Sequence, residues 1–126
     1  MQQITVPVYS LMVQHPDAGL ILIDVGHAPH FAAVTRTFPG CVYRWITRLQ
    51  AGSHAPIAEQ LDGRTPDHMV LTHLHADHIA GISDFKTCPI WGPEELLPIV
   101  QRWQKTCIHS LKQGYLPELL PNNSLS

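Results

Sequence analysis

The chain has 126 residues, 44% of them hydrophobic and 14% charged, and a formal net charge of −2 from 8 basic and 10 acidic side chains. That fits one soluble globular domain and excludes a general nucleic-acid binder, which carries a basic surface and a high pI; the apolar run Leu20–Ile23 is far too short for a membrane span. No secretory signal is expected of MQQITVPVYS, and three scattered cysteines, Cys41, Cys88 and Cys107, make no disulfide framework, so a reducing cytoplasm is the default location.

In chain order, Ile4 to Val13 reads as a strand, with Pro7 marking an edge or bulge. His15 to Gly19 has turn chemistry, and Leu20 to Ile23 is an apolar run of the kind expected of a strand covered on both faces. The two segments form a hairpin that stops at Asp24-Val25-Gly26. Pro29 to Phe38 reads as a short helix with proline in its first turn and Pro39-Gly40 at its end. Val42 to Leu49 fits strand or helix equally. Pro56 to Leu61 is a short helix stopped by Asp62-Gly63. Met69 to Leu71 is a second buried-type strand, followed by Thr72 to His75 and a helix for which Asp77 is the expected N-cap. Pro89 to Trp91 is a further short strand. A helix opens at Pro93 and carries Leu96, Ile99, Val100 and Trp103; a last helical patch covers Ile108 to Lys112, and a polar tail spans residues 121–126. Strands alternating with helices give the class α/β (α+β).

Histidine is over-represented, with 9 residues against 8 Lys plus Arg. Three of them fall in Thr72-His73-Leu74-His75-Ala76-Asp77-His78-Ile79-Ala80-Gly81, which places four potential metal ligands in the pattern H-x-H-x-D-H. Imidazole and carboxylate are donors that zinc takes at about 2.0–2.2 Å, and they also suit iron or manganese. Residues two apart in an extended segment point the same way, so His73 and His75 converge on one ion. A turn into helix at Asp77 sends Asp77 and His78 toward a second. Two ions about 3.5–4 Å apart clamp a bridging hydroxide. A lone histidine at a strand end is usually structural or solvated; four donors at this spacing after a buried-type strand are much harder to explain that way.

On the residues Thr72 to Gly81 and the upstream Leu20-Ile21-Leu22-Ile23-Asp24-Val25-Gly26, the chain resembles the metallo-β-lactamase-fold hydrolases, with Val25 where that family's LIDTG element has threonine. The resemblance implies a four-layer αββα sandwich, of which residues 1–126 would be a single partial domain, the N-terminal half, with a mixed sheet and flanking helices. It implies a metal-dependent hydrolase in which metal-bound hydroxide attacks an ester, lactone, lactam or thioester bond of a small-molecule substrate. His73 and His75 would hold the first of two zinc ions; Asp77 and His78 would hold the second. Asp77 would also handle a proton as catalytic residue, and Asp24 would hydrogen-bond behind the ligand loop. Gly26 and Gly81 would allow tight turns beside the metals. The family also uses a third histidine, a bridging aspartate and a final histidine downstream. After His78 this chain has one histidine, His109, in a stretch that reads as helical, and no aspartate beyond Asp84. Two alternatives therefore stand beside the hydrolase: an inactive metal-binding or interaction module, and a site completed by a partner chain or oligomer, a different polypeptide being favoured over a second copy. A half sandwich would also leave an apolar sheet face uncovered. His27 and His30 are candidates for the site mouth. His15, His54 and His68 read as solvated, the cysteines as small buried hydrophobes, Trp45, Trp91 and Trp103 as core, and Arg44 and Arg48 as surface charges.

Overall fold

The computed structural model describes residues 7–38, 40–47, 55–95, 98, 116, 119 and 120. Four strands, β1 (Leu11–His15), β2 (Gly19–Ile23), β3 (His68–Val70) and β4 (Ile90–Trp91), form one sheet in the order β1-β2-β3-β4. β1 and β2 are antiparallel, whereas β2 with β3 and β3 with β4 are parallel. The mixed sheet and its flanking helices are the α/β (α+β) arrangement expected, consistent with part of a sandwich.

The hairpin follows from its turn. Gly19 sits at φ +76°, and its neighbour Leu20 donates its N–H to Asp67 Oδ2 at 2.8 Å. His15 closes the turn by accepting the N–H of Ala18 at 3.0 Å through Nδ1, so this exposed histidine has a local structural role. The resulting register pairs Leu11 with Ile23, the last residue of β2. Residues 7–10 are not in the strand that was expected from Ile4 to Val13, and residues 1–6 lie outside the described set.

The parallel β2–β3 connection needs a crossover, which is built from α1 (Pro29–Val34), α2 (Gly40–Thr47) and α3 (Ile57–Gln60). α1 starts on Pro29 as expected but ends at Thr35, which turns back on Phe31: its N–H and its hydroxyl both donate to the Phe31 carbonyl, at 3.0 and 2.7 Å. Gly40 opens α2 instead of closing α1, and the ambiguous stretch from Val42 is helical. Tyr43 is the buried side of that helix, while Val42, Arg44 and Trp45 face outward.

Leu20, Leu22, Met69 and Ile90 share one face of the sheet and are buried in a cluster with Phe31, Tyr43, Leu61, Ile79 and Ile82. The opposite face carries Ile21, Ile23 and Val70, half-buried, and the exposed Leu11, Val13 and Trp91. Among the described residues this face is the more exposed one. Two expectations are corrected here. Trp91 was expected in the core but is 52% exposed on this face, and Trp45 is 81% exposed on α2. His68, expected to be solvated, is half-buried and accepts the Trp91 indole N–H at 3.2 Å. Cys88 is buried, which pushes its thiol pKa up, and Cys41 is half-buried. The helix expected to open at Pro93 is not helical at Pro93, Glu94 and Glu95; its remainder apart from Pro98, the helical patch expected at Ile108 to Lys112, and Arg48, His54, Trp103, Cys107 and His109 lie outside the described residues. No helix among the described residues is long and apolar enough to cross a membrane.

Candidate metal centre

The two parallel strands β2 and β3 end side by side, and the residues that follow them build the site. After β2 the chain turns at Asp24, whose φ of +53° lies in the left-handed region that aspartate tolerates better than most residues. Its N–H donates to the Val70 carbonyl at 2.9 Å, which continues the pairing with β3. After β3 come Thr72 to His75 and then the one-turn helix α4 (Ala76–Ile79). Two further backbone bonds tie this helix to the β2 loop: Val25 N–H to the His78 carbonyl at 2.9 Å, and Gly81 N–H to the Gly26 carbonyl at 3.3 Å. The fit is close enough that a Cβ on Gly81 would lie 2.7 Å from the Val25 carbonyl oxygen.

Asp24 is 5% exposed. Its Oδ1 accepts the Thr72 N–H at 2.9 Å, and its Oδ2 accepts the Thr72 hydroxyl at 2.7 Å. Oδ2 also lies 3.0 Å from His78 Nδ1. The Thr72 hydroxyl is in turn 2.8 Å from His73 Nδ1. The His73 ring packs against His75 at 4.7 Å and against His78 at 4.0 Å between centroids. Asp77 Oδ2 approaches His78 Nε2 at 3.8 Å. The N-cap of α4 is His75, with no side-chain capping bond, and Asp77 sits inside the first turn. Asp77 therefore does not cap the helix as expected, and its half-buried carboxylate stays beside the histidines.

The structure thus brings His73, His75, Asp77, His78 and Asp24 into one cluster. Ligand atoms of Asp24, His73 and His78 all lie within 4.8 Å of one another. The sequence reading had paired His73 with His75 and set Asp24 behind the loop; Asp24 does hydrogen-bond there, and it also stands within reach of the same centre. Burial lowers the His73 pKa, and the neighbouring His78 and His75 lower it further. Neutral imidazole is the form that binds a metal. Converging imidazole and carboxylate donors, with at least one ring held neutral, fit a divalent transition metal.

The Asp77 charge also acts on His27 and Tyr43, two members of an aromatic group. His27 packs tilted against Phe31 at 4.9 Å, and Phe31 meets Tyr43 edge-on at 6.1 Å. Burial pushes the Tyr43 hydroxyl up to about 12, with the Asp77 charge acting in the same direction. In the sequence Tyr43 stands out only as part of Tyr43-Arg44-Trp45, in a segment whose periodicity does not separate strand from helix. His27 Nδ1 is buried with no hydrogen-bond partner among the described residues, and burial lowers the pKa of this ring against an opposing pull from Asp77. The folded state therefore favours neutral His27, and its contribution to stability is fully present above the ordinary value of 6.5 and is lost as pH falls below it. Urea midpoints of the metal-free protein should fall between pH 7.5 and pH 5, with a smaller fall in His27→Leu. An equal fall in both would remove His27 as a source.

A family model described as the metallo-beta-lactamase superfamily matches residues 4–90. Two probable metallo-hydrolases, one from Mycobacterium bovis and one from Mycobacterium tuberculosis, are each 36% identical over 107 residues; the match covers 79% of this chain. The chain spans only 31% of the length of either relative. No solved structure matches the chain.

Proposed function

The chain belongs to the metallo-beta-lactamase superfamily, and we propose that it serves metal-dependent hydrolysis of a small molecule, with His73, His75, Asp77 and His78 as the metal-holding residues. The observation that carries this reading is the convergence of three imidazoles and two carboxylates where β2 and β3 end. His73 and His75 would hold one ion and Asp77 and His78 another; zinc is the first choice, and iron or manganese suits the same donors. Bound ions of this kind supply Lewis acidity and acidify water near neutral pH. The protein's own part is positional. Asp24 anchors Thr72 and His78, α4 carries Asp77 to the edge of the cluster, and Asp77, being half-exposed, is placed to take up and release a proton. Phe31 and Tyr43, buried in the core, pack behind the half-buried His27 and hold it in place near Asp77.

The test is His73→Ala, assayed with zinc or manganese on a panel of lactone, lactam, thioester and phosphodiester substrates. Loss of at least 100-fold in metal-dependent turnover is the expected outcome. Turnover unchanged by His73→Ala would remove the assignment.

A second reading, which the chain's 31% span of its relatives leaves open, is an inactive metal-binding or interaction module. A panel with no turnover at any metal concentration would favour it. A third component is compatible with either: a separate polypeptide carrying the further histidine and aspartate ligands and covering Leu11, Val13 and Trp91. A second copy of this chain would bring another H-x-H-x-D-H but no downstream aspartate, so a different partner suits the ligand chemistry better.

A further inference from the structure

We infer that Thr72 is a positioning residue: its hydroxyl passes the proton-accepting character of Asp24 on to His73, so that one buried carboxylate sets the same tautomer in two imidazoles. This rests on the reading of His73 and His78 as metal ligands, and it concerns how the chain prepares them before any metal arrives.

The proton positions follow from what each group can donate. An ionised carboxylate only accepts. His78 Nδ1 lies 3.0 Å from Asp24 Oδ2, so the proton between them is on Nδ1. In the neutral ring that leaves the lone pair on Nε2. The Thr72 hydroxyl has one proton, and the carboxylate 2.7 Å away takes it. Toward His73 Nδ1, at 2.8 Å, the same oxygen can then only accept. His73 must carry its proton on Nδ1 as well, and its lone pair is likewise on Nε2. The Thr72 N–H, bound to Oδ1 of the same carboxylate at 2.9 Å, holds the backbone of Thr72 against Asp24, within reach of the hydroxyl's own bond to Oδ2.

The arrangement matters because the nitrogen that binds a metal is determined by the hydrogen bond the other nitrogen makes. Without Thr72 Oγ1, His73 Nδ1 would have no acceptor in this network, and the ring would distribute between its two tautomers. His78 would keep its direct bond to Asp24. The two histidines should therefore respond differently to one substitution, which a general loss of structure would not produce.

The experiment compares wild type with Thr72→Val and Thr72→Ser. In metal-free protein with 15N-labelled histidine, held at pH 8, long-range proton–nitrogen correlations distinguish Nδ1–H from Nε2–H in each ring. Wild type and Thr72→Ser should show Nδ1–H at both His73 and His78. Thr72→Val should lose that preference at His73 alone, and zinc affinity measured against a chromophoric chelator should fall roughly 10–100-fold, with Thr72→Ser close to wild type. The His78 signal reports whether Thr72→Val has kept its fold; if it has not, wild type still decides, since Nε2–H at His73 there overturns the proposal. An unchanged His73 tautomer in folded Thr72→Val also overturns it. A changed tautomer with unchanged zinc affinity overturns the role of Thr72 in metal binding. Wild type that binds no zinc yet shows both Nδ1–H rings would sink the metal-site reading and leave the network intact.

Discussion

Replacing Asp24 by alanine should cost about 3 kcal/mol of folding stability and most of the zinc affinity. The carboxylate is buried and serves the Thr72 N–H, the Thr72 hydroxyl and His78 Nδ1 together. Hydrogen bonds to a charged group are worth roughly 1.5–3 kcal/mol each, and a buried donor left without a partner costs roughly 1–3 kcal/mol. These contributions do not add, because Thr72 is exposed and water can reach part of what is released. Alanine would also have to hold φ near +53°, which costs a residue with a Cβ roughly 1–2 kcal/mol. Asp24→Asn separates the two effects. Asparagine accepts the left-handed conformation and can still accept the Thr72 N–H, but its amide cannot also accept protons from both Thr72 and His78. Urea denaturation should order the proteins wild type, then Asp24→Asn, then Asp24→Ala, and zinc affinity should follow that order. A loss below about 1 kcal/mol in Asp24→Ala would show that backbone pairing alone holds the loop.

Asp24 also illustrates what the sequence discloses. The H-x-H-x-D-H run is legible because one turn of chain carries all its donors, so no long-range information is needed to group them. Asp24 is separated from them by the whole α1–α3 crossover. Its place was readable only through the apolar run before it and the resemblance that Leu20 to Gly26 carries. Thr72 lies within the motif, yet a threonine has no spacing signature, and its part in the network depends on an acceptor brought in by β2. The packing of Tyr43 on Phe31 was not readable for a similar reason: Tyr43 sits in a segment whose apolar pattern suits either period. Asp77 was misplaced as a cap because aspartate before a helical run is ordinarily a cap; here α4 begins two residues sooner, at Ala76 with His75 as its N-cap, and the carboxylate remains beside the histidines. Trp45 and Trp91 show the limit of composition. Large aromatic side chains are usually well buried, but that tendency does not say which face of a sheet or helix a given residue takes, and both of these lie on exposed faces.

Gly81→Ala should destabilise the protein by about 2–3 kcal/mol, although nothing in the backbone angles of Gly81 forbids alanine. Its φ is −83° and its ψ 0°, a region open to any residue, and removing a glycine there would by itself be mildly stabilising through the unfolded chain. The obstacle is contact. The new Cβ would lie 2.7 Å from the Val25 carbonyl oxygen and 3.4 Å from the Val25 Cβ. The first is a backbone atom that no rotamer change can move. Relief requires shifting the 24–26 loop off α4, against the bonds from Val25 N–H to His78 and from Gly81 N–H to Gly26. Overpacking of this kind typically costs about 1–3 kcal/mol. The shift would also draw Asp24 away from His78, because Asp24 is the residue next to Val25 and its carboxylate reaches only 3.0 Å to Nδ1. Zinc affinity should therefore fall in Gly81→Ala even though the substitution touches no donor, and His78 should lose its Nδ1–H preference in the metal-free protein. Full stability together with wild-type zinc affinity would mean that the loop yields freely. A loss of stability with the His78 tautomer intact would mean that the loop and α4 move as one body, and that the carboxylate, not the close backbone contact, sets the geometry of the site.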